Sequence, residues 1–262
     1  MNRIEELFKK KENKVLSVYC TAGFPQLEDT LPVMKALQEN GADVIELGMP
    51  YSDPLADGPV IQHSSTIALQ NGMTIKKLFE QLKDFRQSPP PGNLGGIPVL
   101  LMGYMNPILQ YGFEKFCADA AAVGVDGLIV PDLPEYEYEM EYGAIIKKHG
   151  LDFVFLVTPE TSEERVKKLD ELSTGFLYAV SSSSTTGRDK NMSDVKKYLQ
   201  KLKDLKLNNP ILVGFGIKDK QTFGAACETA NGAIIGTAFI KALEAANDVK
   251  TVTEKFIESF LK

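Results

Sequence analysis

The chain has 262 residues, 44% hydrophobic and 24% charged, the composition of a soluble globular protein of one or two domains. Lys and Arg number 29 against 35 Asp and Glu, a net charge of −6, and Lys9-Lys10-Lys11 is the densest basic cluster. That excludes a general nucleic-acid or anionic-membrane binder. No window holds the eighteen or so apolar residues of a membrane span. Cys20, Cys117 and Cys227 are odd in number and far apart, so they read as reduced, buried thiols and not as a disulfide or zinc site.

Residues 1–8 predict an amphipathic helix with acidic residues, unlike a signal or transit peptide, which makes the cytoplasm the expected compartment. Eight short apolar runs follow, at 15–20, 43–47, 98–102, 126–130, 152–157, 175–180, 210–214 and 232–236. Several begin right after a glycine suited to a helix C-cap, as in Gly41-Ala42-Asp43 and Gly124-Val125-Asp126. Near-continuous apolar character is what a parallel strand covered on both faces requires. Between the runs lie helical stripes: Leu78, Leu82 and Phe85; Val166, Leu169 and Leu172; Tyr198, Leu202 and Leu205; Val252, Phe256 and Phe260. Thr161 with Glu164 predicts a capping box at the start of the fifth helix.

Eight βα units predict one domain over 1–262, a (β/α)8 TIM barrel with an extra N-terminal helix and an additional helix after strand 2. A doubly wound open sheet is the alternative, but Thr21-Ala22-Gly23-Phe24-Pro25 lacks the Gly-x-Gly-x-x-Gly its first turn should carry. Pro89-Pro90-Pro91 precedes a strand and so belongs to the face opposite the catalytic one.

Barrel enzymes place their chemistry at the C-terminal strand ends. Strand 2 carries Glu46 inside Val44-Ile45-Glu46-Leu47, where a carboxyl is either paired with a basic residue of a neighbouring strand or raised in pKa for function. The strand interiors contain no Arg or Lys, which favours function. Asp53 and Asp57 follow on a proline-stiffened loop, as turn formers or as a second carboxyl in a different environment. Small residues after strands 7 and 8, around Gly214-Phe215-Gly216 and Gly236-Thr237, suit a phosphate held by backbone N–H groups. Residues 181–191 are small and polar, either a mobile lid or a plain connector. His63 and His149 share no metal-ligand spacing with each other or with a cysteine, so no metal site is expected.

The segment Glu46-Leu47-Gly48-Met49-Pro50-Tyr51-Ser52-Asp53-Pro54-Leu55-Ala56-Asp57-Gly58-Pro59 closely resembles the signature of the tryptophan synthase α chain family. The likeness continues through Met105-Asn106-Pro107, Pro131-Asp132-Leu133-Pro134, Thr186-Gly187 and Gly214–Ile217, over essentially the whole chain. The resemblance implies a lyase that cleaves indole-3-glycerol phosphate to indole and glyceraldehyde 3-phosphate with no cofactor of its own. It implies Glu46 and Asp57 as the catalytic pair and Tyr178 as a supporting residue. It carries phosphate contacts to Gly187, Gly216, Gly236 and Thr237, and a lid threonine to Thr186. Asp53 and Pro54 match positions facing a β chain, which carries pyridoxal phosphate and receives the indole in an α2β2 complex. Tyr19, Leu101 and Leu128 are either ring-clamping neighbours or plain barrel core. Two departures stand out: Ser182-Ser183-Ser184 where members usually carry Arg and Gly, and Gly23-Phe24-Pro25 where Gly-Asp-Pro is frequent.

Overall fold

The computed structural model describes residues 2–87, 96–180, 192–214 and 216–261. Nine parallel strands form one curled sheet: β1 (Val15–Thr21), β2 (Val44–Gly48), β3 (Val99–Met102), β4 (Gly127–Ile129), β5 (Asp152–Phe153), β6 (Leu156–Val157), β7 (Leu177–Val180), β8 (Ile211–Gly214) and β9 (Gly232–Ile235). Their order is β5-β4-β3-β2-β1-β9-β8-β7-β6. The predicted run 152–157 is both edges at once. Val154 N–H donates to Leu128 O of β4, and Phe155 O accepts from Tyr178 N–H of β7, each at 3.0 Å. One stretch of chain thus passes from one neighbour to the other and closes the barrel.

The predicted helix Arg3–Lys10 is present, and two helices, Pro59–Gln70 and Ile75–Leu82, follow β2. Asn2 caps the first by accepting from Glu5 N–H. The helix then lies across the N-terminal end of the barrel, with Ile4 buried among Val15, Val44 and Phe176.

A repeated device fixes that end. Gly41 and Gly124 end helices at φ +102° and +82°, which glycine adopts freely, and two residues later an aspartate stands immediately before the next strand. Asp43 Oδ2 accepts from Leu16 N–H of β1 at 2.7 Å and from Lys11 Nζ. Asp126 Oδ2 accepts from Val99 N–H of β3 at 2.8 Å and also pairs with Arg86, while its Oδ1 takes Arg3 Nη1 at 2.7 Å. Asn231 repeats the contact before β9, accepting from Ile211 N–H at 2.8 Å. These three strand feet are each tied to a neighbouring strand by a side chain.

Strand alternation sorts the core into two layers. Val15, Val44, Leu100, Ile129, Val154, Tyr178, Leu212 and Ile234 fill the lumen. Leu16, Val18, Ile45, Leu47, Leu101, Leu128, Ala179 and Val213 pack outward beneath the helices.

Two local expectations change. Ser162, not Thr161, caps the helix Glu163–Leu172, accepting from Arg165 N–H, because Thr161 Oγ1 is taken by Thr158 N–H of the preceding turn. In Val249–Leu261 the buried stripe is Val249, Thr253, Ile257 and Phe260, with Val252 and Phe256 half-buried beside it. The segment 135–148 contains a wide turn at Tyr138–Tyr142, which seats Tyr138 against Phe153 and Phe155. The triple proline lies outside the described residues. All three cysteines are buried free thiols.

Candidate active site

The register β1 to β2 to β3 sets Tyr19, Glu46 and Leu100 side by side on the lumen face. Glu46 is 0% exposed. Its Oε1 accepts from Ser17 Oγ at 2.7 Å, and its Oε2 is buried without a partner. Burial pushes its carboxyl up to about 8, only partly opposed by the Ser17 hydroxyl, which favours the charged form. Ser17 answers what the sequence left open: the partner of Glu46 is a neutral hydroxyl and not a cation.

Two glycines make room for tyrosine rings above the carboxyl. A Cβ on Gly48 would meet Tyr19 Oη at 2.1 Å, and one on Gly214 would meet Tyr178 Oη at 2.4 Å. Any side chain at either position would displace a ring. Burial holds both phenols well above their ordinary range, and the Tyr178 hydroxyl also feels the negative charge of Glu46 and Asp57.

Asp57 comes down onto this group from the loop after β2. That loop is built by Leu55 N–H to Asp53 O and Asp57 N–H to Pro54 O, and Gly58 then leads into the helix with Pro59 in its first turn, where proline is tolerated. Tyr104 anchors the loop twice. Its hydroxyl donates to Asp57 Oδ2 at 3.0 Å and accepts from Ala56 N–H at 3.1 Å. Burial raises Asp57 to about 6, and the Tyr104 hydrogen bond restrains the rise. Behind it the Tyr51 ring packs on Tyr104 with centroids 5.2 Å apart, and Asn106 Nδ2 donates to Tyr51 Oη. A narrow cleft opens between these groups, lined by Tyr19, Met49, Asp57, Met102, Tyr104 and Pro131.

The structure corrects two site assignments. Leu101 and Leu128 are fully buried on the outer face, under the helices, because their parity is that of Leu47 and Phe153. They are barrel wall, turned away from the lumen. The residues that face the lumen are one step further along each strand, Met102 and Ile129.

Gly216 (φ +80°) and the Gly236-Thr237 turn sit at the adjoining ends of β8 and β9, and Gly236 opens the helix Thr237–Glu244. Because β9 lies next to β1, Gly236 is 3.5 Å from Tyr19 Cβ, measured to where its own Cβ would be. Thr186, Gly187 and the serine run Ser182–Ser184 lie outside the described residues. On the outer surface Asp53 is exposed and Leu55 is 87% exposed, close in sequence to Pro54. Asp132 caps the helix Met105–Tyr111 by accepting from Met105 N–H, which accounts for the Pro131-Asp132 pair structurally. Among the described residues, no group of three or more His, Cys, Asp or Glu is placed to hold a metal ion, and no helix is long and apolar enough to cross a membrane.

Sequence reasoning missed Ser17, Tyr104, Met102 and Ile129. Ser17 had a signal, a polar residue in an apolar run two positions before Tyr19. Tyr104 had none, since it meets Asp57 across 47 residues.

The family model described as "Tryptophan synthase alpha chain" matches residues 6–261. A relative of that name from Phocaeicola vulgatus is 48% identical over 261 residues, covering 99% of each chain. One from Christiangramia forsetii is 52% identical over 242 residues, 92% of each. The solved tryptophan synthase subunit alpha from Legionella pneumophila superimposes with a TM-score of 0.88 at 36% identity, covering 99% of this chain and 97% of that one. A chain of M. tuberculosis tryptophan synthase in its aminoacrylate-bound form gives 0.84 at 29%, covering 99% and 100%.

Proposed function

The chain belongs to the tryptophan synthase alpha chain family, and we propose that Glu46 and Asp57 carry its reaction, with 1–262 acting as one barrel domain. The activity is that of a carbon–carbon lyase: retro-aldol cleavage of indole-3-glycerol phosphate to indole and glyceraldehyde 3-phosphate, in tryptophan biosynthesis. The observation that supports the residue assignment is the pair of carboxyls pushed apart by their surroundings, Glu46 to about 8 and Asp57 to about 6.

At neutral pH Glu46 holds its proton and Asp57 has mostly lost its own. Breaking the bond between the ring and the glycerol chain needs an electron sink, which the indole becomes once its C3 is protonated. Glu46 gives that proton. Asp57 accepts a hydrogen bond from the indole N–H as positive charge develops there. The Glu46 carboxylate then takes the glycerol hydroxyl proton as the C–C bond breaks and the carbonyl forms, so the enzyme ends in its starting state. Tyr19, Met102, Ile129 and Tyr178 enclose the ring. Backbone N–H groups at Gly216, Gly236 and Thr237 hold the phosphate, with Gly187 as a further phosphate contact and Thr186 as the lid threonine.

No cofactor takes part in this chain's own steps. The partner is a β chain carrying pyridoxal phosphate, in an α2β2 complex in the cytoplasm, and the face around Asp53, Pro54 and the exposed Leu55 receives it.

The test is indole release from indole-3-glycerol phosphate across pH. Because Asp57 must be ionised and Glu46 protonated, kcat/KM is expected to be bell-shaped with limbs near 6 and 8. Glu46→Gln is expected to lose about 10²–10⁴-fold. Substantial turnover by that variant at neutral pH would overturn the assignment.

A further inference from the structure

Two oxygens of one carboxyl have opposite surroundings. Ser17 and Glu46 are both 0% exposed, and the Ser17 hydroxyl donates to Oε1 at 2.7 Å. Oε2, on the same carboxyl, is buried and has no hydrogen-bond partner. A buried acceptor left unpaired is disfavoured, so an oxygen left that way invites a partner that arrives with the substrate.

A neutral carboxyl has one O–H donor and one carbonyl acceptor. If the proton sat on Oε1, the Ser17 oxygen would accept it, the Ser17 hydrogen would lose its acceptor, and Oε2 would still be unpaired. With the proton on Oε2, Ser17 donates to Oε1 whether the carboxyl is neutral or ionised. One arrangement therefore serves both states with no reorganisation between them.

We propose that Ser17 is a positioning residue: it holds Oε1 of Glu46 as a standing acceptor and leaves Oε2 as the single oxygen through which that carboxyl gives and takes its proton. The proposal rests on Glu46 being the acid–base group. The register supports it. Ser17 pairs with Val44 and Tyr19 pairs with Glu46, so the serine stands one lumen layer below the carboxyl and holds it from beneath, toward the end of the barrel away from the cleft.

Among the described residues, the other titratable groups around Glu46 are Tyr19, its register partner, and Cys20 of β1 and Tyr178 of β7, with Asp57 of the loop acting on the two tyrosines. Burial holds all three of the thiol and phenols protonated at neutral pH, Cys20 pushed up to about 12. The serine is thus the group whose removal should change the proton affinity of Glu46 directly.

The experiment uses the full chain, wild type beside Ser17→Ala, Ser17→Cys and Glu46→Gln. It reads the pH profile of kcat/KM for indole release and, independently of turnover, the ¹³C titration of the Glu46 carboxyl. Removing the donor is expected to move the basic limb and the ¹³C midpoint upward by about one pH unit, with the acid limb unmoved. Cysteine, a weaker donor, should give a smaller shift in the same direction. Cysteine is larger than serine and alanine smaller, so a packing effect would not follow that order. The proposal is overturned by a uniform loss at every pH with the limb in place, by an unmoved ¹³C midpoint, or by effects ranked by side-chain volume. Activity surviving in Glu46→Gln would instead sink the acid–base reading beneath it.

Discussion

Two carboxylates, Asp126 and Glu46, are buried in this barrel to nearly the same degree, 4% and 0% exposed, and the two ends of the molecule treat them differently. Asp126, at the N-terminal end, is held by Arg3, Arg86 and the Val99 N–H. Arg86 in turn donates to Gly124 O and Ile97 O, so the charges close into a satisfied network. Glu46, toward the C-terminal end, has one serine hydroxyl and one unpaired oxygen. The lesson is that burial alone does not mark a site. What distinguishes Glu46 is burial left uncompensated, the condition under which a carboxyl keeps its proton and can do acid chemistry.

The contrast can be broken from either end. Asp126→Ala should destabilise the chain by about 4 kcal/mol, because two guanidinium groups lose their counter-charge and a strand foot loses its tie. Chemical denaturation at neutral pH would measure it, and a loss under about 1 kcal/mol would show that the network is dispensable.

Glu46→Gln should do the reverse. Folding raises the Glu46 carboxyl from 4.5 to about 8, so between those values the folded chain binds the proton that the unfolded chain releases. Wild-type stability therefore falls as pH rises through that window, and a neutral amide escapes the loss. The variant is expected to gain about 3 kcal/mol over wild type at pH 7, and nothing near pH 4. An inactive protein that is more stable than its parent would be direct support for a strained site. Equal unfolding midpoints at pH 7 would count against it.

A smaller effect sharpens the picture at Asp57. Tyr104→Phe removes the hydrogen bond that restrains the rise of this carboxyl, so the acid limb of kcat/KM should move upward while the basic limb stays. A rise of about one pH unit, the worth of one such bond, would cost about threefold at pH 6.5 and approach tenfold only below about pH 5.5. Movement of both limbs together would argue for a general loosening of the loop.

Much of this was legible beforehand, and the reasons are local. The apolar runs, the capping glycines and the spacing of the units are properties of neighbouring residues, and they predicted eight strand segments, the N-terminal helix and the extra helix after β2. Glu46 was visible because a carboxylate in an apolar run violates the strand's own pattern. The exchange of Leu101 and Leu128 for Met102 and Ile129 shows where this ends. A period of two tells which residues share a face but not which face is the lumen, and one residue of offset moves a side chain from one core layer to the other.

The sequence by itself determined the elements, their order and the residues able to carry chemistry, since propensity, capping and hydrophobic alternation act over a few positions. Only the tertiary structure decided the state of those residues. That Ser17 meets Glu46, that Tyr104 reaches Asp57 across 47 positions, and that Gly48 and Gly214 yield their space to tyrosine rings follow from which strands pair and in what register. Proton affinity depends on what surrounds a group in space, and that surrounding is assembled from strands far apart in the chain.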